Sequence, residues 1–127
     1  ANRQARHVEL AEGVLVRGLD DWVMACEVCS EIVASGISAK DPAVPDLSLQ
    51  VLEYLLANDL MIAGDVTEQG FVAWPDHPFE ALAMIKNHWS SLGTLPSLGE
   101  ICWLDLTDKG KVLAKRLAAQ SYANGAA

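Results

Sequence analysis

Between Ile101 and Leu117 the hydrophobic period changes in mid-course, and this change constrains the fold more than any other feature of the chain. Ile101-Cys102-Trp103-Leu104-Asp105-Leu106 is β-branched, aromatic and partly alternating, as expected of a strand. Thr107 then carries a helix-capping side chain, and Leu113 and Leu117 recur at helical spacing beside Lys111, Lys115 and Arg116. A strand that runs straight into a helix needs other strands to pair its backbone. The expectation is an α+β domain.

The rest of the chain reads mostly as helix. Val8, Ala11, Val14, Leu15 and Leu19 suggest a first helix, weakened by Gly13 and Gly18. Asp20-Asp21 suit a helix start, and the segment from Asp21 to Ala34 places Trp22, Cys26, Cys29 and Val33 on one stripe. Ser35-Gly36 ends it, and the prolines of 38–45 predict a loop. Asp46 is the expected cap of a helix from Leu47 to Asn58, with Val51, Leu52, Leu55 and Leu56 inward. Leu60 to Ala63 is extended, Asp65 to Gly70 a turn, and Phe71 to Trp74 extended again. Pro78 fits a helical first turn capped by Asp76 or His77, with Leu82, Ile85, Trp89 and Leu92 on one side. Residues 93–99 form a loop, and the tail after Tyr122 is expected to fray. No linker or internal repeat divides the sequence, so a single domain over 1–127 is expected.

The junction Leu104-Asp105-Leu106-Thr107-Asp108-Lys109-Gly110-Lys111-Val112-Leu113-Ala114 resembles the strand-to-helix exit of winged-helix domains, commonly L-T-x-x-G-x-x-L. In that mapping Leu106 ends a wing strand, Thr107 caps the helix, Gly110 permits close packing, and Leu113 is the first buried helical residue. The resemblance implies a winged-helix-like α+β fold, mostly helical, with a small antiparallel sheet. It places Leu47 to Asn58 at the recognition helix, Leu60 to Val66 at the first wing strand, and Ile101 to Leu106 at the second. Residues 67–99 then form an enlarged wing containing an extra helix. The chain is also similar to a group of uncharacterised bacterial proteins with a D-W-V start and G-D-V/L-T, W-P and E-I-C-W segments.

A winged helix usually implies DNA binding, but the charges here oppose it. Net charge is −8, and 18–100 alone contain thirteen acidic and two basic residues, giving −11. The would-be recognition helix contains Glu53 and no Lys or Arg, and Asp46 and Asp59 bracket it. Only Ser48, Gln50 and Asn58 are suited to base contacts there. The wing tip, Asp65 to Gly70, is acidic too. Such a field repels phosphates and anionic membranes and attracts basic proteins.

Apolar residues make up 51 % of the 127, enough for a sizeable core. There is no apolar run of spanning length and no basic-then-apolar opening segment, so a soluble, cytoplasmic protein is expected. Cys26 and Cys29 form a CxxC, but no second ligand pair accompanies it, and His7, His77 and His88 are scattered. Buried core cysteines are the simpler expectation, with no metal or cofactor. No phosphate loop, GxSxG or metal-ligand spacing is present. His88 is expected to face solvent, opposite the core side of its helix.

Of the four tryptophans, Trp22, Trp89 and Trp103 lie in periodic elements and are expected in the core. Trp74 is the candidate exposed anchor, with Asp65 and Glu68 on the preceding turn and Asp76, His77 and Glu80 after it. The acidic helix face of Asp20, Glu27 and Glu31 is expected to be ordinary solvated surface. The function expected is a non-enzymatic protein-binding domain for a basic partner, for example an immunity-type protein that neutralises a basic toxin. A homo-oligomer is compatible with the sequence. One alternative is a winged-helix DNA-binding regulator using Arg3, Arg6, Lys109, Lys111, Lys115 and Arg116. Another is a small ligand-binding domain around Trp74 to His77.

Overall fold

The structure, a computed structural model, describes residues 5–125, with side chains through residue 120. Helix α1 (Arg6–Arg17) buries Leu10, Ala11, Val14 and Leu15, one face of a helical period. A two-residue strand, β1 (Val23–Met24), leads directly into α2 (Ala25–Ala34). The Glu27 carboxylate accepts the Met24 N–H at 3.0 Å and so satisfies a donor at the start of α2. Trp22 therefore precedes the helix instead of sitting in its first turn. The buried stripe is Ala25, Val28, Cys29 and Ile32, and Val33 is exposed, contrary to the sequence expectation.

Helix α3 (Ala43–Ala57) starts four residues before the predicted Leu47. Pro42 and Pro45 do not prevent this. Pro45 falls in the first turn, where a missing N–H is harmless, and Asp41 Oδ1 accepts the Ala43 N–H at 2.8 Å. Asp46 is thus a first-turn acid and not the cap. Val44, Ser48, Val51, Leu52, Leu55 and Leu56 are buried, and α3 packs against α1, α2, α4 and β2 at the centre of the domain. Buried Ser48 is satisfied locally, its hydroxyl donating to the Val44 carbonyl at 2.7 Å.

Strands β2 (Met61–Thr67) and β3 (Gly70–Ala73) form a hairpin, so the predicted turn shrinks to Glu68-Gln69. After α4 (Pro78–Leu92) the chain returns as β4 (Trp103–Leu106) and ends in α5 (Asp108–Gly125), which continues past Tyr122. The sheet order is β1-β4-β2-β3, antiparallel throughout. Val23, Leu104, Ala63 and Met61 point inward onto the helices and are buried.

The fold is α+β and winged-helix-like: α1, β1, α2, α3, β2 and β4 follow that order, and β3 with α4 enlarges the wing. The wing closes at its root through Thr107. Its hydroxyl donates to the Asp59 carbonyl at 2.6 Å and accepts the Gly110 N–H at 2.9 Å. Its own N–H reaches the Leu60 carbonyl at 3.1 Å. A Cβ on Gly110 would collide with that same Leu60 carbonyl, so close packing at this glycine is real.

Gly110→Ala should therefore destabilise the domain by about 1–3 kcal/mol through overpacking. Thr107→Ala should cost about 1–2 kcal/mol through the lost cap. Urea denaturation checks both, and an unchanged midpoint for Gly110→Ala would contradict the close approach.

Candidate partner-binding surface

Hairpin geometry determines where the residues singled out around Trp74 lie. Trp74 follows β3, and its N–H continues the ladder to the Ala63 carbonyl at 3.0 Å. Its indole packs against the edge of the core, and Nε1–H donates to Asp65 Oδ2 at 2.9 Å. Trp74 is thus a half-buried residue tied to its neighbour and not the free anchor expected. Asp65 is exposed beside it, and Glu68 is exposed at the hairpin tip.

His77 is the α4 cap. Its Nδ1 accepts the Phe79 N–H at 3.4 Å, and its ring stacks on that of Phe79 with centroids 5.6 Å apart. Asp76 is half-buried and Glu80 is exposed in the first turn. Among the described residues no hydrogen bond or ion pair joins the Asp65–Trp74 pair to the His77–Phe79 pair. Phe79, 65 % exposed, is the apolar residue that this patch presents. Sequence reasoning missed it, although it lies off the Ala81, Leu82, Ile85, Trp89 stripe that α4 buries.

The other tryptophans divide unexpectedly. Trp89 is in the core, as its helical spacing predicts. Trp22 and Trp103 are half-buried and stand outside the core cluster, a correction to the sequence expectation. The register explains Trp103: it pairs with Gly64 and Met24, while its neighbour Leu104 pairs with inward Ala63 and Val23. Adjacent residues of a strand face opposite ways, so Trp103 lies on the outer face. Phe71 lies over Gly64 on that face, where a Cβ would press on its ring, and Trp22 sits 6.2 Å from Phe71 between centroids.

The electrostatics are one-sided. Among the described residues, ion pairs join only Arg17 to Glu31 at 2.6 Å and to Glu27 at 3.2 Å. The hydrogen bond to Glu31 leads in raising the Arg17 pKa further. These pairs tie α1 to α2, so Glu27 and Glu31 are not merely solvated. Asp20, Asp41, Asp46, Glu53, Asp65, Glu68 and Glu80 are exposed without such partners. The exposed side of α3 carries Asp46, Gln50 and Glu53, and no cation. Lys109, Lys111, Lys115 and Arg116 are exposed on α5, where Lys109 Nζ donates to the Asn58 carbonyl at 3.0 Å.

Cys29 and Cys102 are buried, whereas Cys26 is half-buried. Burial raises all three thiol pKa values. Cys102 rises from 9.0 to about 12, with nearby Asp65 adding to the effect. Ser48 Oγ lies 3.4 Å from Cys29 Sγ, a contact that partly offsets burial there. Cys26 and Cys29 line an open apolar groove of about 450 Å³ with Val33, Ala39, Leu95 and Pro96. Among the described residues no three His, Cys, Asp or Glu side chains gather in a metal-ligating group, and no helix is long and apolar enough to cross a membrane.

Because the folded Cys102 keeps a proton that the unfolded thiol releases, stability should fall as pH rises from about 9 towards 12. Iodoacetamide at pH 8 should modify Cys26 slowly and leave Cys29 and Cys102 intact until denaturant is added. Peptide mass spectrometry checks this, and rapid labelling of Cys102 in the folded protein would contradict it. Comparison with protein-family models, curated proteins and solved structures gives no match for this chain.

Proposed function

We propose that this chain is a non-enzymatic protein-binding domain that presents a negative surface to a basic partner. The observation that carries the reading is the unneutralised charge: apart from Glu27 and Glu31, no carboxylate forms an ion pair among the described residues. A surface field of one sign speeds encounter with a partner of the opposite sign and disfavours like-charged ligands. The cation-free outer side of α3 removes the groups with which a winged helix would hold phosphates. One concrete form is an immunity-type protein that covers the basic active site of a toxic enzyme in a bacterial cytoplasm.

The variant Asp65→Lys, Glu68→Lys, Asp76→Lys, Glu80→Lys tests the reading. Each change adds two charge units, so the four bring the chain from −8 to neutral. Proteins captured from the native cell and identified by mass spectrometry should be basic, release with salt, and bind this variant at least about tenfold more weakly. Unchanged binding of every partner would overturn the proposal. The DNA-regulator alternative rests on the exposed cations of α5. Gel shifts with random and genomic duplexes at low salt should show no complex, and a salt-dependent complex would favour that alternative instead.

A further inference from the structure

The outer face of the sheet carries an aromatic cluster that the core does not use. Trp22, Met24, Phe71 and Trp103 are half-buried there, and Ile62, 40 % exposed, pairs with Asp105 on the same face. Large apolar side chains left partly in water on one face are the composition of an interface centre, where aromatic anchors dominate affinity. The rim is of one sign. Residues 18–24, 62–73 and 97–105, which supply this face and its surroundings, contain six acids and no Lys, Arg or His. Of those acids Asp105 lies on this face beside Ile62, and Asp20, Asp21, Glu68 and Glu100 lie in the segments around it, whereas Asp65 shares the opposite face with Ala63 and bonds Trp74.

Resting on the protein-binding reading, we propose that this outer face, Ile62, Phe71, Trp22 and Trp103, is where the basic partner docks. The occupant is a cationic polypeptide segment that presents Arg or Lys with aliphatic side chains. Two chemical complementarities support it. Indole and phenyl faces attract guanidinium and ammonium groups, Trp most strongly. The aliphatic stems of the same cations, and neighbouring apolar residues, cover the exposed Ile62 while the carboxylate rim meets the charged heads. Nucleic acid satisfies the aromatic half of this surface but is repelled by the rim. The patch around Trp74 has the acids but keeps its indole N–H engaged with Asp65.

The test uses the full chain labelled with 15N, whose four tryptophans each give an indole N–H resonance. A synthetic peptide of alternating Arg and Leu is the probe, and its Glu-Leu counterpart is the control. The expected result is movement of the Trp22 and Trp103 indole signals, with Trp74 and Trp89 still and no response to the control. Ile62→Lys should raise the Kd for the Arg-Leu peptide at least about tenfold, without a change in Tm, because it puts a cation at the centre of the contact. Met84→Lys adds the same charge on exposed α4 and should leave the Kd within about twofold. Movement confined to Trp74 and residues 76–80 would overturn this site while leaving the protein-binding reading standing. No response at millimolar peptide would overturn both. Movement of Trp22 and Trp103 on diluting the protein alone would make the face a contact between copies and overturn the cationic occupant.

Discussion

Thr107 holds the root from which the rest of the architecture extends. One hydroxyl bridges the end of α3 and the start of α5, donating to Asp59 and accepting from Gly110, 48 residues apart at its long contact. The Leu60 carbonyl accepts the Thr107 N–H, and the missing side chain of Gly110 lets α5 come that close. Asp59 adopts a positive φ of 56° at this point, a conformation that needs surrounding contacts to hold it. With the root closed, Met61 faces Leu106 and each later pair follows, so β2 and β4 are in register before the wing departs. The inward row of Met61, Ala63 and Leu104 then meets α3, which is also the helix that α1, α2 and α4 pack on. Junction, register and core are one continuous dependence.

Much of this was legible because each signal was local. The cap at Thr107, the close approach at Gly110 and the Pro78 start of α4 behind His77 are all consequences of neighbouring residues, whereas the excursion between β2 and β4 was implied only by the winged-helix resemblance. What was lost depended on pairing at a distance. β1 is two residues long, too short to show alternation, and its partner Leu104 lies at the far end of the chain. Without that pairing Trp22 joins the following helix, and the whole stripe is displaced in phase. The true phase starts at Ala25, which turns Val33 outward and brings Val28 and Ile32 inward. The start of α3 was missed for the opposite reason: Pro42 and Pro45 look like breakers, yet fall where a helix lacks N–H partners anyway.

The binding surface was less legible than the fold, for a related reason. Ile101-Cys102-Trp103-Leu104 is apolar on both faces, so its composition cannot tell which residues point to the core. Only the pairing of Leu104 with Ala63 and of Trp103 with Gly64 separates them. Trp74 raised the converse problem. Flanked by acids and Pro75 it looked solvent-facing, yet a hydrogen bond to Asp65 and contact with the core hold it at the edge. Charge, by contrast, needs no register. The negative field was visible in the sequence and remains visible in the structure because few carboxylates find a cation.

The wing leaves β2 and returns on β4, its immediate neighbour, with Gly64 facing Trp103 across the ladder. Everything between is therefore an excursion whose two ends are fixed side by side, and only its stretches outside β3 and α4 are loop. Lengthening such a loop adds only a slowly growing closure entropy, about 0.6 kcal/mol per doubling of its length. That freedom belongs to the stretches that stay out of the core, such as the hairpin tip at Glu68-Gln69, whereas α4 is held in place by Leu82, Ile85 and Trp89 against α3. The closed root thus tolerates a longer or shorter wing tip, but not the loss of the helix that the wing brings back to the core.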